Sequence, residues 1–183
     1  MSVIVFLLAA GLLAWAVVIY NRLVRDRNRV DAGWSDIDVQ LKRRHDLVPR
    51  LVEAVRQYAG YEQATMKAVT ALRTESERTE RVGRKGELEE GLSDGVRKLI
   101  ALAEQYPDLK ASGNFLDLQK GLVEVEDNIQ YARRYYNGAV RNYNTRIESF
   151  PDLLIAHTFG FTPRDYFQLE AAAQAQPPEV KLS

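Results

Sequence analysis

Cysteine is absent from the 183-residue sequence. That excludes disulfides, thiolate metal sites and a cysteine nucleophile. Histidine is nearly absent as well, with only His45 and His157, too few for a multi-histidine metal centre. Neither has a glutamate three residues before it, because Lys42 and Leu154 hold those positions. The Glu-x-x-His pairs of di-iron helical bundles are therefore missing, and so is HExxH. No glycine-rich phosphate loop (GxxxxGK[ST] or GxGxxG) and no GxSxG nucleophile elbow occurs. Neither charge sign is in excess: 25 basic residues balance 25 acidic ones. A nucleic-acid binder usually carries a basic surplus, so no nucleic-acid partner is expected. No cofactor or metal is expected either. Six prolines and eleven glycines leave long stretches without breakers, and 46% hydrophobic residues exclude a disordered chain. The composition favours an all-α protein.

What the sequence has in plenty is an uncharged opening. Residues 3–19 read VIVFLLAAGLLAWAVVI, and the first charge is Arg22. A helix over about 20 such residues spans ~30 Å, the thickness of a bilayer's hydrocarbon core. A cleaved signal peptide competes, since Ala14-Trp15-Ala16 fits a small-x-small cleavage site. The positive n-region of a signal peptide is missing, however, and this favours an uncleaved single-pass transmembrane anchor at residues 1–21. Arg22, Arg25, Arg27 and Arg29 follow the run. Basic residues collect on the cytoplasmic flank, so the expected topology is N-terminus outside and C-terminal domain cytoplasmic. Tyr20 falls at the membrane interface, where aromatic rings are favoured, with the four arginines behind it.

Four helices are expected in the remaining domain, residues 22–167, at about 22–47, 49–80, 86–105 and 109–149. In the first, Leu23, Val30, Trp34, Ile37 and Leu41 form a stripe continuous with the anchor. Pro49 predicts a kink or a new helix start. The second carries Leu51, Val55, Tyr58, Val69 and Leu72, with Glu62 and Thr65 at seam positions between them. A buried Glu62 would require a cationic or amide partner, and Arg133, Arg141 and Asn137 are candidates. Residues 75–90 hold ten charges in sixteen positions and read as a solvated helix end and loop. The third helix stops at Tyr106-Pro107. The fourth has Phe115, Leu118, Leu122, Val125, Ile129, Ala132, Tyr136, Ala139 and Tyr143 at alternating spacings of 3 and 4. Such heptads ask for neighbours crossing at ~20°, as in an antiparallel up-down four-helix bundle with long coiled-coil-like helices.

Residues 150–167 are apolar but broken by Gly160 and Pro163; they are expected to cap the bundle, with docking of a partner as the alternative. Residues 168–183 (QLEAAAQAQPPEVKLS) read as a flexible tail. Along residues 131–147, Arg133, Asn137, Arg141 and Asn144 make a polar stripe beside the heptad seam. It reads either as an interaction surface or as the charged flank of a helix with its tyrosines packed inward.

Several blocks are similar to the LemA family. Tyr20-Asn21-x-Leu23-Val24 follows the apolar run. The long block from Trp34-Ser35-Asp36-Ile37-Asp38 through Lys42-Arg43-Arg44 to Asp46-Leu47-Val48-Pro49 resembles the family's most specific segment. Ala59-x-x-Glu62 extends it, with Tyr61 where the family often has histidine. Ala103-Glu104-x-Tyr106-Pro107, Ala132-Arg133-Arg134-x-Tyr136-Asn137, Tyr143-Asn144 and Phe150-Pro151 follow in order. The resemblance covers about residues 18–167. It implies a bacterial inner-membrane protein with an antiparallel helical bundle inside and no catalytic residues.

The expected function is thus a membrane-tethered helical scaffold or adaptor. Its partners would be the lipid bilayer, further copies of itself and other membrane proteins. A membrane-shaping role, with the Arg22–Arg29 flank on anionic lipid, is the first alternative. An enzyme built on an unrecognised carboxylate pair is the second, since Asp36, Asp38, Glu53, Glu62, Glu124 and Glu126 are all present.

Overall fold

A computed structural model describes residues 2–60 and 62–167. The expected tail at 168–183, Met1 and Tyr61 lie outside the described residues. Within them the chain is all-helical, without strands. Its helices are α1 (Ser2–Arg56), α2 (Gln63–Arg78), α3 (Val82–Ala103), α4 (Pro107–Lys110), α5 (Gly113–Glu148) and α6 (Asp152–Thr158).

The predicted break before Pro49 is absent: α1 runs 55 residues and contains that proline. Proline at position 49 cannot donate to the carbonyl four residues earlier, which is that of His45. Arg73 supplies the missing donor, its Nε lying 2.8 Å from the His45 carbonyl oxygen. The helix ends instead in the turn before Glu62, where Gly60 sits. A second difference lies near residue 109. The expected long helix is divided into the four-residue α4 and α5. Tyr106, extended ahead of Pro107, opens α4. Ser112, Gly113 and Asn114 are poor helix formers and mark the start of α5. α3 begins at Val82 rather than near 86, the turn at Gly83 and Gly86 being helical.

The described residues fall into two compact units. One comprises residues 2–40 and Asn128–Asp165; the other comprises Leu41–Asp127 with Tyr166 and Phe167. In the first unit, α1 and α5 run antiparallel. Trp34 meets Tyr136 with ring centroids 5.8 Å apart, and Asp26 meets Arg146. Ile19, Leu23, Val30 and Ile37 of α1 are buried, as are Ile129, Tyr136, Val140, Tyr143 and Ile147 of α5. Gly33 permits the close approach. A Cβ there would stand 3.2 Å from the Tyr136 Cα. Residues 3–18 of α1 contribute almost only exposed apolar side chains. This is one helix long and apolar enough to cross a membrane.

In the second unit, α2 and α3 are antiparallel neighbours, and Gly95 lies so close to Val69 that a Cβ would fall 2.5 Å from its Cγ2. Val48, Leu51 and Val55 of α1, Met66 and Val69 of α2, Leu92, Val96, Leu99 and Ala103 of α3, and Phe115 and Leu122 of α5 make one hydrophobic cluster. Burial of this kind stabilises by about 25 cal/mol per Å² of apolar surface.

Candidate functional site

The second unit encloses a charged centre. Following the seam of α1 at spacings of 3 and 4 (Ile37, Leu41, Arg44, Val48, Leu51), the third residue along is an arginine, not an apolar residue. Arg44 is 3% exposed. Its Nη1 donates to Glu89 Oε2 at 3.0 Å and to the Glu89 carbonyl at 3.2 Å. Its Nη2 donates to Glu126 of α5. Glu89 of α3 is 2% exposed. Its other oxygen accepts from the Ser76 hydroxyl of α2 and lies 2.6 Å from His45 Nε2. Ser93 donates to the Glu89 carbonyl at 3.0 Å and to Glu126 at 3.2 Å. Glu77 closes the periphery, 3.7 Å from His45 Nδ1 and 2.9 Å from Arg73. One side chain or more from each of α1, α2, α3 and α5 thus meets at this point.

Burial by itself would push the Glu89 carboxyl up. The His45 hydrogen bond, the Arg44 charge and the Ser76 hydroxyl outweigh it and hold the carboxyl below the usual range. A carboxylate so held is a weak base. Two carboxylates do converge here, as an enzyme would need, but both oxygens of Glu89 are consumed by neighbours. The arrangement ties side chains of α1, α2, α3 and α5 together through charge and hydrogen bonds. Among the described residues no group of three or more histidine and carboxylate side chains is placed to hold a metal ion.

The residues expected to mark a site are distributed differently. Tyr20 carries the rings of Phe159 and Phe161 at 5.0 and 5.7 Å. Arg27 lies over Phe161 at 5.4 Å, and Arg29 pairs with Asp26 at 3.2 Å. Arg22 and Arg25 are exposed or half-exposed on α1. Glu62 is the N-cap residue of α2, half-buried and making no side-chain cap. It lies outside any helical seam, because the chain breaks just before it. Of the polar stripe, Asn144 has a defined structural role. It donates to the Arg164 carbonyl and accepts from the Arg164 amide, both at 2.9 Å. Arg133 and Asn137 are half-buried with partners of their own, and Arg141 is exposed. Beside them Tyr136 donates to the Asp165 carbonyl at 2.8 Å, and burial pushes its hydroxyl up to about 12. The first unit has its own buried ion, Asp26, 2.5 Å from Arg146, which also reaches Asp152 at 3.2 Å.

Arg44, Glu89 and Asp26 were missed because the periodicity was followed through apolar residues alone. Asp26 sits between Leu23 and Val30, and Arg44 between Leu41 and Val48, at seam spacing. A charge at such a position is the signal that a buried partner must exist.

These features define a class: an all-helical protein in which an apolar helix of membrane-crossing length continues into helices fastened by buried ion pairs. The chain belongs to the LemA family, whose model matches residues 33–182. It is 26% identical to magnetosome protein MamQ 2 of Paramagnetospirillum magneticum, over 94% of this chain and 73% of that protein. It is 28% identical to protein LemA of Metamycoplasma hominis, over 81% of this chain and 68% of that protein. A MamQ of Magnetospirillum gryphiswaldense is 25% identical, over 84% and 66% respectively.

Proposed function

We propose that this chain is a non-enzymatic single-pass membrane protein. Its helices form an antiparallel up-down four-helix bundle that serves as a tethered scaffold, binding further copies of itself or other membrane proteins. One observation carries the reading: α1 passes without interruption from a stretch whose apolar side chains are all exposed to a stretch whose apolar side chains are core. An apolar surface of that size on residues 3–18 is intelligible when lipid surrounds it. The arginine cluster after it supports a bilayer crossing with the domain cytoplasmic, in the inner membrane. The relatives' names, LemA and MamQ, specify no reaction. The membrane-shaping alternative is weakened because Arg27 lies over the Phe161 ring and the charge of Arg29 is offset by Asp26.

Self-association draws support from α5, where Leu116 and Val123, seven residues apart, are both half-exposed and apolar. Tethering raises their effective concentration. Since the chain has no cysteine, Val123→Cys introduces a single reactive thiol. The expected outcome is a covalent dimer on mild oxidation in native membranes, lost when Leu116→Glu is added. Only monomer, with no reproducible cross-linked partner, would contradict the scaffold reading.

A further inference from the structure

The chain around α6 carries large apolar side chains that remain exposed. Phe150 is 79% exposed, Phe159 60%, Leu154 54% and Leu153 43%. The helix also has an inward face. Ala156 is buried, and Asp152 reaches Arg146. Within α6 the outer face thus carries Leu153 and Leu154, with His157 and Thr158 also exposed.

Contacts within the first unit fix where that side lies. Trp34 pairs with Tyr136 and Asp26 with Arg146, so α5 approaches the start of α1 as its numbers rise. Two residues past Arg146 it ends, the chain turns at Phe150-Pro151, and after α6 Phe159 reaches the Tyr20 ring. Tyr20 is where the apolar run of α1 stops. Residues 150–159 thus sit at the level of α1 at which an embedded helix leaves the hydrocarbon.

We propose that Phe150, Leu153, Leu154 and Phe159 form a second membrane contact, lodged in the headgroup–acyl boundary beside the spanning helix. The inference rests on the membrane reading of α1 above. Lipid is the occupant because the patch is continuous, through the Tyr20–Phe159 pair, with the exposed apolar surface of residues 3–18. The neighbouring groups suit such a boundary. Aromatic rings are favoured there, and the exposed Arg22 and Arg25 supply positive charge toward anionic headgroups. A lateral foot of this kind would fix the rotation and tilt of α1, which interfacial anchors set in membrane proteins.

The test uses the full chain reconstituted into vesicles of phosphatidylethanolamine and phosphatidylglycerol. Spin labels are placed singly by Leu154→Cys, by Leu12→Cys within the run and by Lys98→Cys on α3. Collisions with oxygen, which partitions into lipid, are compared with collisions with a water-soluble nickel chelate. The expected result is oxygen dominance, by several-fold, at 154 and 12, and chelate dominance at 98. Phe159→Cys gives an independent second reading of the patch, with the same expected pattern. Chelate dominance at 154 and 159 with oxygen dominance at 12 overturns this inference and leaves the span intact. Chelate dominance at 12 as well overturns both. A label at 154 shielded from both agents, with broadening that grows with the protein-to-lipid ratio, means a second copy covers the patch and also overturns the inference.

Discussion

In the first unit the buried charge is a carboxylate, Asp26, and the side chain of its partner Arg146 is 34% exposed. In the second it is a guanidinium, Arg44, enclosed with Glu89 at 4% and 3% side-chain exposure. Both sit at seam positions of the same helix, α1, yet their surroundings differ in one physical respect. Arg146 retains water and a second carboxylate, Asp152, if Asp26 is lost. Arg44 would keep Glu126 and the main-chain carbonyl of residue 89, but it has no solvent to turn to. The cost of removing a partner follows the access of the remaining charge to water: several kcal/mol when it is stranded, little when it is screened. The second unit is accordingly the one whose helices are held in a single arrangement by charge.

The largest effect should come from Glu89→Leu, which takes one of two carboxylate partners from the buried Arg44 and leaves His45 and Ser76 without theirs, and should destabilise the chain by about 3–5 kcal/mol in urea or thermal unfolding in micelles. Adding Arg44→Leu should cost far less than the sum of the two single losses, because the stranded charge is then gone. Equal and additive losses would break the contrast between the units.

Acid sharpens it. The folded-state pKa of Glu89 is lowered, so the unfolded chain binds the proton more readily. Its contribution is present above the ordinary carboxylate range and disappears as pH falls through the lowered folded value. The urea midpoint should therefore fall on acidification in the parent chain and fall less steeply in Glu89→Leu.

Asp26→Ala should cost about 1–2 kcal/mol in the same assay, since Arg146 keeps Asp152 and solvent. A loss matching that of Glu89→Leu would erase the distinction drawn here.

The smallest effect concerns Pro49. Arg73→Leu should cost about 1–2 kcal/mol by leaving the His45 carbonyl without its donor. In a Pro49→Ala background, where residue 49 regains its N–H, the same change should cost measurably less.

Much of this architecture is readable in the sequence, and for a plain reason. The buried stripe of α5 from Phe115 to Tyr143 and that of α1 from Leu23 to Leu41 are local, and periodicity reports local geometry. The continuity of α1 was not readable. It depends on Arg73, 28 residues away from the carbonyl it satisfies, and no pattern around Pro49 announces it. The charged centre was half legible. Arg44 at seam spacing shows that a partner is required, but the choice of Glu89 among the crowded charges of 75–90 is made by tertiary packing. That run's density of charge reads as a solvated stretch, yet it holds Ser76 and Glu89, two of the most buried polar residues among the described residues. The apolar character of residues 150–161 was visible, whereas their position beside Tyr20 was not, because it arises from the length of α5 and the turn after it.

The most direct measurement is the intact mass of the protein extracted from cell membranes after an alkaline carbonate wash. Retention in the washed membrane, at a mass that still includes the apolar run of residues 3–19, is the predicted result. Release into the wash, or a mature chain lacking the residues before Val17, would contradict the claim that α1 stays embedded.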